Sequence, residues 1–145
     1  MAMYDNEDDM LVREEGEKLH AYRDHLGYLT IGVGHLIDER VGGSIPQFVS
    51  RWLLSYDKAS ARRYAERYTY FGDLDTVRQA AIVSMMFQMG PSKLAKFVKF
   101  HRAMARKDYD DAHDEGLDSV WARQTPKRAR RMMYMIKTGR WPEEE

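Results

Sequence analysis

Polar and apolar positions near the start of the chain first follow a helical rhythm and then alternate as in a strand. Residues 6–15 place apolar and acidic side chains on adjacent helical turns, and Gly16 is a natural left-handed stop. Residues 29–33, Leu-Thr-Ile-Gly-Val, alternate and include β-branched side chains, which is typical of a strand. We therefore expect a helix that ends at Glu15, followed by a hairpin that turns around residues 25–27.

The rest of the chain is dominated by helical patterns. From Pro46, which is tolerated in a first turn, apolar residues recur at helical spacing to about residue 68. Trp52 and the tyrosines of this helix are expected to pack rather than to serve as platforms for sugars. Residues 76–89 are apolar almost all round, as in a helix at the centre of a bundle. Further helices are expected over residues 91–107, 108–117 and 125–137.

Composition adds few constraints but excludes several classes of chemistry. The 145 residues suffice for one domain-sized unit, in one or two lobes, with a real core. There is no cysteine, so disulfide and thiolate chemistry are excluded. No apolar run approaches the ~20 residues of a membrane span, and the acidic N-terminus lacks the apolar core of a secretory signal. The acidic clusters have no defined metal-ligand motif, and neither a metal nor another cofactor is expected.

Two carboxylates and a hydroxyl converge on the predicted hairpin. Glu15 would end the helix, Asp24 would lie at the turn and Thr30 on the next strand. Cleavage of a glycosidic bond needs one protonated carboxyl group and one ionised partner that orients water or attacks the sugar. The helix dipole and partial burial would raise the pKa of Glu15, whereas the polar turn would keep Asp24 ionised. Taken one at a time, the three residues are more typical of a solvated helix end, a turn-former and an ordinary strand residue than of a catalytic site; it is their joint pattern that favours catalysis.

The same residues carry a resemblance to a known family. Glu15, Asp24 and Thr30 have the spacing of the catalytic residues of phage-type lysozymes, the endolysins, which this sequence resembles. The segments that share further residues with this family are 15–16, 27–28, 30–35, 87–90, 124–128 and 138–141, together with Tyr22 and Trp121. The resemblance therefore covers most of the chain.

The resemblance implies an α+β, lysozyme-like fold. A small N-terminal lobe, residues 1–45, would contain the first helix and a β-hairpin or short sheet with the catalytic residues. A long connecting helix, residues 46–70, would lead to a larger helical lobe, residues 71–145. Because the segment between His35 and Ile45 is short for this family, the small lobe should be trimmed.

The activity that the resemblance implies is hydrolysis of the β-1,4 bond between N-acetylmuramic acid and N-acetylglucosamine in bacterial peptidoglycan, for host cell lysis. Glu15 would be the proton donor, and Asp24 and Thr30 would hold the attacking water in an inverting mechanism. A lytic transglycosylase, which needs the glutamate but no water-holding pair, is one alternative. A catalytically inactive wall-binding module is another, and a nucleic-acid-binding protein that uses the basic residues 127–131 is a third.

Substrate contacts follow from the resemblance alone. Leu36, Phe87 and Gln88 match positions that bind the substrate in the family. Two later polar contacts of the family fall on Phe100 and Glu115. We therefore expect the sugar contacts of the helical lobe to differ from those of the family.

Two supporting residues are implied in the same way. Arg128 would lie close to Glu15 and would lower its pKa, opposing burial and the helix dipole. The acidic residue that pairs with the family's histidine is replaced by Phe48. His35 is accordingly expected to be a packed or hydrogen-bonded structural residue rather than a catalytic one.

The resemblance also implies a cellular setting. Peptidoglycan is the expected partner, whereas nucleic acid, stable membrane insertion and oligomerisation are not expected. The protein would be made in the host cytoplasm and would reach the periplasmic peptidoglycan through a separate pore-forming protein. Residues 1–75 contain 9 Lys/Arg and 14 Asp/Glu, a net charge of −5, and residues 76–145 contain 14 and 9, a net charge of +5. The basic part would either attract an anionic wall polymer or simply be solvated.

Overall fold

The computed structural model describes residues 2–33, 35–37 and 44–144, apart from the side chains of Glu7, Met10, Leu11 and Glu15. Its Cα positions group the chain into two compact units, Met1–Trp52 and Leu53–Glu145, which we call the N-terminal unit and the helical unit. The short connector expected after His35 lies mostly outside the described residues, as does Gly34.

The first helix, α1 (Glu7–Glu15), begins and ends where the sequence predicts. The Asn6 side chain caps it by accepting a hydrogen bond of 2.8 Å from the Asp9 N–H. At the other end Gly16 has a φ of 74°, and its N–H donates to the Val12 carbonyl. The glycine stop therefore makes Glu15 the last helical residue.

Three short antiparallel strands follow, and their order in the sheet is their order in the chain: β1 (Lys18–Arg23), β2 (Leu29–Gly32) and β3 (His35–Leu36). The predicted hairpin is the β1–β2 connection, in which Tyr22 pairs with Thr30 and Arg23 with Leu29. Because β2 is the central strand, Thr30 also pairs with Leu36 of β3. The Thr30 side chain is consequently enclosed, with 3 % exposure.

Helices make up the remainder of the described chain: α2 (Gln47–Ala65), α3 (Thr76–Leu94), α4 (Val98–Ala105), α5 (Tyr109–Leu117), α6 (Val120–Gln124) and α7 (Pro126–Thr138). A short 3-10 helix over Phe71–Asp73 precedes α3. The expected α+β class is thus confirmed. Across the described ranges, no helix combines the length and the apolarity needed to cross a membrane.

Two expectations about the helices are wrong. Trp52 of α2 was expected to pack, but its side chain is 66 % exposed. Residues 91–107 were expected to form one helix, but Pro91–Leu94 instead continue α3 beyond a kink at Gly90, and α4 begins only at Val98. The break lies next to Phe97, whose ring packs edge-on against Phe100 and Trp121 with centroids 6.3 and 6.2 Å away. Tertiary packing of that ring outweighs the helical pattern of the segment.

The core of the helical unit forms around α3, as its apolar sequence predicts. Both α3 and α5 pack against α7. The fully buried side chains include Ile82 and Met85 from α3, and Met133 and Ile136 from α7. A Cβ atom at Gly116 would overlap the Sδ atom of Met133. Glycine at this position therefore allows α5 to approach α7 closely, and the flexible methionine fills the space beside it.

Candidate functional site

Glu15 is the last residue of α1, where the sequence predicts it. Its position follows from the backbone hydrogen bond of 2.8 Å from the Gly16 N–H to the Val12 carbonyl, which closes the final helical turn. The side chain of Glu15 lies outside the described residues. Its role as the proton donor and its distance from the other carboxylate therefore stay predictions.

Asp24 forms the turn between β1 and β2 with its own carboxylate. One oxygen, Oδ1, accepts hydrogen bonds of 2.9 Å from the backbone N–H groups of both Leu26 and Tyr28. The main chain closes the same turn, because the Asp24 N–H donates to the Tyr28 carbonyl and the Gly27 N–H donates to the Asp24 carbonyl. Within the described part of the chain, the second oxygen, Oδ2, accepts no hydrogen bond. Asp24 is thus a turn-former, and its hydrogen bonds to the turn use only Oδ1.

Thr30 is connected to this turn through the backbone of Tyr28. Its Oγ1 donates a hydrogen bond of 3.1 Å to the Tyr28 carbonyl, the same carbonyl that accepts from the Asp24 N–H. The Tyr28 N–H in turn binds the Asp24 carboxylate. The backbone of one residue therefore holds both of the side chains predicted to position water.

The third strand contains the two other candidates of the N-terminal unit. Leu36 lies opposite Thr30 in the sheet and is half-buried. The Nε2 atom of His35 lies 3.1 Å from the Ser44 carbonyl, so the imidazole donates a hydrogen bond there. This contact gives His35 a hydrogen bond to the backbone, and its expected structural rather than catalytic role stays a prediction.

In the helical unit, Gln88 belongs to a network that fixes the orientation of its amide. Its Oε1 accepts a hydrogen bond of 2.8 Å from the Trp121 indole N–H. Its Nε2 lies 3.4 Å from the Thr125 hydroxyl, which itself donates to the Trp121 carbonyl at 3.1 Å. The neighbouring Phe87 ring is 46 % exposed. Phe87 therefore has free surface for a ligand, whereas the Gln88 amide already holds α3 to α6 and α7.

Arg128 binds α7 to α3 through Ser84. Its Nη2 donates to the Ser84 hydroxyl at 3.0 Å and to the Ser84 carbonyl at 3.3 Å. The predicted approach of Arg128 to Glu15 is not tested, because the Glu15 side chain is outside the described residues. What the geometry assigns to Arg128 is a structural role within the helical unit.

A groove of about 630 Å³ lies on the helical unit beside this network, and sequence reasoning did not find it. Its lining combines aromatic rings with three lysines and two carboxylates: Phe97, Phe100, Trp121, Lys93, Lys96, Lys99, Glu115 and Asp118. The signals in the sequence are the departures from the family pattern at Phe100 and Glu115 and the basic character of residues 76–145. Phe100 is 1 % exposed, so its ring contributes to the core rather than to a polar contact.

No group of three or more His, Asp or Glu side chains with the geometry of a metal site occurs in the part of the chain that the structure describes. The described site contains carboxylate, hydroxyl and backbone groups. It comprises the enclosed hydroxyl of Thr30 on β2 and the carboxylate of Asp24 at the β1–β2 turn. Both groups are hydrogen-bonded to the backbone of Tyr28.

Comparison with known proteins extends this description. The sequence matches the family model described as phage lysozyme over residues 12–133. It is 33 % identical over 158 residues to probable T4-type lysozyme 1 of Dictyostelium discoideum, covering 90 % of this chain and 93 % of that protein. Probable T4-type lysozyme 2 of the same organism is 34 % identical with the same coverage. The pre-baseplate central spike protein Gp5 of Enterobacteria phage T4 is 34 % identical over 157 residues, covering 90 % of this chain and 27 % of that protein.

Proposed function

The chain belongs to the phage lysozyme family, and from this premise we propose that it is a muramidase. Family membership supports a glycoside hydrolase that acts on peptidoglycan. We assign the bond as the β-1,4 linkage between N-acetylmuramic acid and N-acetylglucosamine, and the role as lysis of the host cell. The observation that carries the assignment is the Tyr28 backbone, whose N–H binds the Asp24 carboxylate and whose carbonyl accepts from the Thr30 hydroxyl.

The directions of the hydrogen bonds on this turn suit the positioning of a water molecule. The Thr30 hydroxyl donates its hydrogen to the Tyr28 carbonyl, so the lone pairs of its oxygen remain as acceptors. Asp24 uses Oδ1 for two backbone N–H groups and offers Oδ2 as a second acceptor. A water that donates one hydrogen to each side chain keeps a lone pair for the anomeric carbon. Asp24 then removes a proton as the water attacks.

Glu15 would supply the complementary half of the reaction. Protonated Glu15 donates its hydrogen to the glycosidic oxygen as the bond to the anomeric carbon breaks, while the water adds from the opposite face and inverts the configuration. This geometry requires the two carboxyl groups to lie ~6.5–9.5 Å apart. A lytic transglycosylase is the runner-up, and it makes no use of a water held between Asp24 and Thr30. An inactive wall-binding module would likewise not need Asp24 and Thr30 to hold a water.

The cellular setting is part of the same proposal. The protein would act as a monomer, would be made in the host cytoplasm and would reach the periplasm through a separate pore-forming protein. The side chains of Leu36 and Phe87 would contact the sugars. Gln88 would act beside them through its hydrogen bonds to Trp121 and Thr125. The match to a segment of a baseplate spike protein favours a second setting, action as part of a virion. Detecting the protein in purified phage particles would favour that setting over lysis from within.

The direct test is to digest purified peptidoglycan with the protein, reduce the products with borohydride and identify their ends. Wild-type protein should release muropeptides with reduced muramic acid ends, whereas 1,6-anhydromuramic ends would indicate a transglycosylase.

Glu15→Gln should lower the rate by about 10²–10⁴-fold because general acid catalysis is lost, and Asp24→Asn should also inactivate the enzyme. Glu17→Gln is the matched control, because Glu17 is an exposed carboxylate two residues away. Wild-type rates for Glu15→Gln would contradict the assignment.

A further inference from the structure

The turn that holds Asp24 depends on the orientation of one peptide plane. The peptide between Gly27 and Tyr28 is planar, so its C=O and N–H groups point in opposite directions and rotate together. The Tyr28 N–H at one edge donates to Asp24 Oδ1 at 2.9 Å. Any rotation of this plane would remove one of the two hydrogen bonds that orient the carboxylate.

The other edge of the same plane is bound by Arg23. Its Nη1 donates a hydrogen bond of 2.9 Å to the Gly27 carbonyl. Arg23 is the last residue of β1 and pairs with Leu29 across the hairpin, so its backbone is fixed by the sheet while its side chain spans the turn. The guanidinium therefore acts as a clamp, by which we mean that it restrains the Gly27 carbonyl from a residue whose backbone belongs to β1 and not to the turn.

Glycine makes such a clamp necessary. Gly27 has a φ of 86°, and a Cβ atom added there would meet nothing within 4 Å. A glycine in open space has little steric restriction on peptide rotation. The main-chain bond of 2.9 Å from the Gly27 N–H to the Asp24 carbonyl restrains the preceding peptide, not this one. The hydrogen bonds of the Gly27–Tyr28 plane itself must hold it.

We propose that Arg23 is a positioning residue for Asp24, acting through the carbonyl of Gly27. The inference rests on the proposed function, because it assumes that Asp24 orients the attacking water. Arg23 touches neither the water nor the sugar in this account. It keeps the Tyr28 N–H directed at Asp24 Oδ1, so that Oδ2 stays directed at the water.

Steady-state kinetics of Arg23→Met on soluble peptidoglycan fragments tests the proposal. Methionine keeps the length and the apolar stem of arginine but donates no hydrogen bond. We expect kcat to fall about fivefold, the effect of losing one ordinary hydrogen bond, while KM stays within about twofold because substrate binding is unaffected. Arg23→Lys, which retains a donor, should recover most of the loss. Arg131→Met on α7 is the matched control for the loss of one exposed positive charge and should leave kcat unchanged.

A second measurement separates positioning from general stability. Hydrogen exchange followed by NMR should show faster exchange of the Tyr28 amide in Arg23→Met, with the amides of α3 and α7 unchanged. Wild-type kcat together with wild-type Tyr28 protection in Arg23→Met would overturn the inference, even if Asp24→Asn is inactive. An equal loss of protection throughout the protein would also overturn it, because the effect would then be global. Full activity of Asp24→Asn would instead refute the proposed function, whatever Arg23→Met does.

Discussion

At the scale of single residues, the direction of the Thr30 hydroxyl decides how water can be held. Thr30 is enclosed between β1 and β3, and its hydrogen is already donated to the Tyr28 carbonyl. It can therefore only accept a hydrogen bond from a ligand. An acceptor beside a carboxylate suits a neutral water with two hydrogens to donate, and it does not suit a second anion.

Replacement of Thr30 tests this acceptor role. Thr30→Val has nearly the same shape but no oxygen, and we expect kcat to fall about 100-fold because the water loses its orientation. Thr30→Ser keeps the oxygen and should stay within about tenfold of wild type. The Tyr28 carbonyl still accepts from the Asp24 N–H in both variants, so the thermal midpoint should change little. Equal kcat values for the valine and serine variants would remove Thr30 from the mechanism.

The candidate site residues are visible in the sequence as candidates, but their hydrogen bonds are not. Spacing and resemblance selected Asp24 and Thr30. Neither indicated that both contact the backbone of Tyr28, because that contact depends on the geometry of the turn. The two interpretations of Asp24, as a turn-former and as a candidate base, also proved compatible, since each uses a different carboxylate oxygen. The hydrogen bond between Gln88 and Trp121 has no local sequence signal either, because the two residues are distant in sequence.

At the scale of secondary-structure elements, one histidine joins α4 to its neighbours. The Tyr70 hydroxyl lies 2.7 Å from His101 Nδ1, and His101 Nε2 lies 2.8 Å from the Leu94 carbonyl at the end of α3. Because the carbonyl can only accept, Nε2 carries the hydrogen and Nδ1 accepts from Tyr70. The ring also stacks on Tyr68, with centroids 4.2 Å apart. Neutral His101 therefore satisfies both partners at once.

Protonation of His101 should weaken these contacts. Burial lowers the pKa of His101 below its ordinary value of 6.5, and the hydrogen bond to Leu94 opposes this only in part. Burial also raises the pKa of Tyr70, which keeps that hydroxyl protonated as the donor. The charged side chains that line the same surface are Arg67 and Arg102, and both are cations. Neither would stabilise a positive charge on the ring.

Stability should consequently fall in acid. The unfolded chain binds a proton near pH 6.5 while folded His101 does not, so the free energy of unfolding decreases as the pH drops from there to the lower folded-state pKa. Above that window His101 is neutral in both states and contributes no pH dependence to the free energy of unfolding. Urea unfolding of His101→Gln between pH 5 and 8 should show a smaller decrease than wild type, since glutamine does not titrate. His20→Gln, at an exposed strand position, is the control, and an identical slope for His101→Gln and wild type would contradict the argument.

Element boundaries were predictable where local chemistry determines them. Asn6 and Gly16 set the ends of α1, and Thr125 with Pro126 marks the start of α7. The break between α3 and α4 was missed because it is stabilised by the packing of Phe97 on Trp121, a residue distant in sequence. The short helix α6 was missed for a related reason. Its Trp121 side chain is buried in a core that no local pattern reveals.

At the scale of the whole molecule, the two units differ in structure and in charge. The N-terminal unit contributes a short sheet and the turn of Asp24. The helical unit contributes a core rich in methionine around α3. Residues 76–145, which carry a net charge of +5, all belong to the helical unit. The fold class and the family were accessible from sequence because long apolar helices and an ordered set of motif residues are both local signals.

The stereochemistry of the product tests the central claim that Asp24 and Thr30 hold an attacking water. Time-resolved proton NMR of wild-type protein acting on soluble peptidoglycan glycan chains would follow the anomeric signal of the new reducing end before mutarotation. A water that attacks opposite the leaving group must give the α-anomer first from a β-linkage. Initial formation of the β-anomer would contradict the account and would indicate a covalent intermediate on Asp24, with the two carboxyl groups only ~5 Å apart.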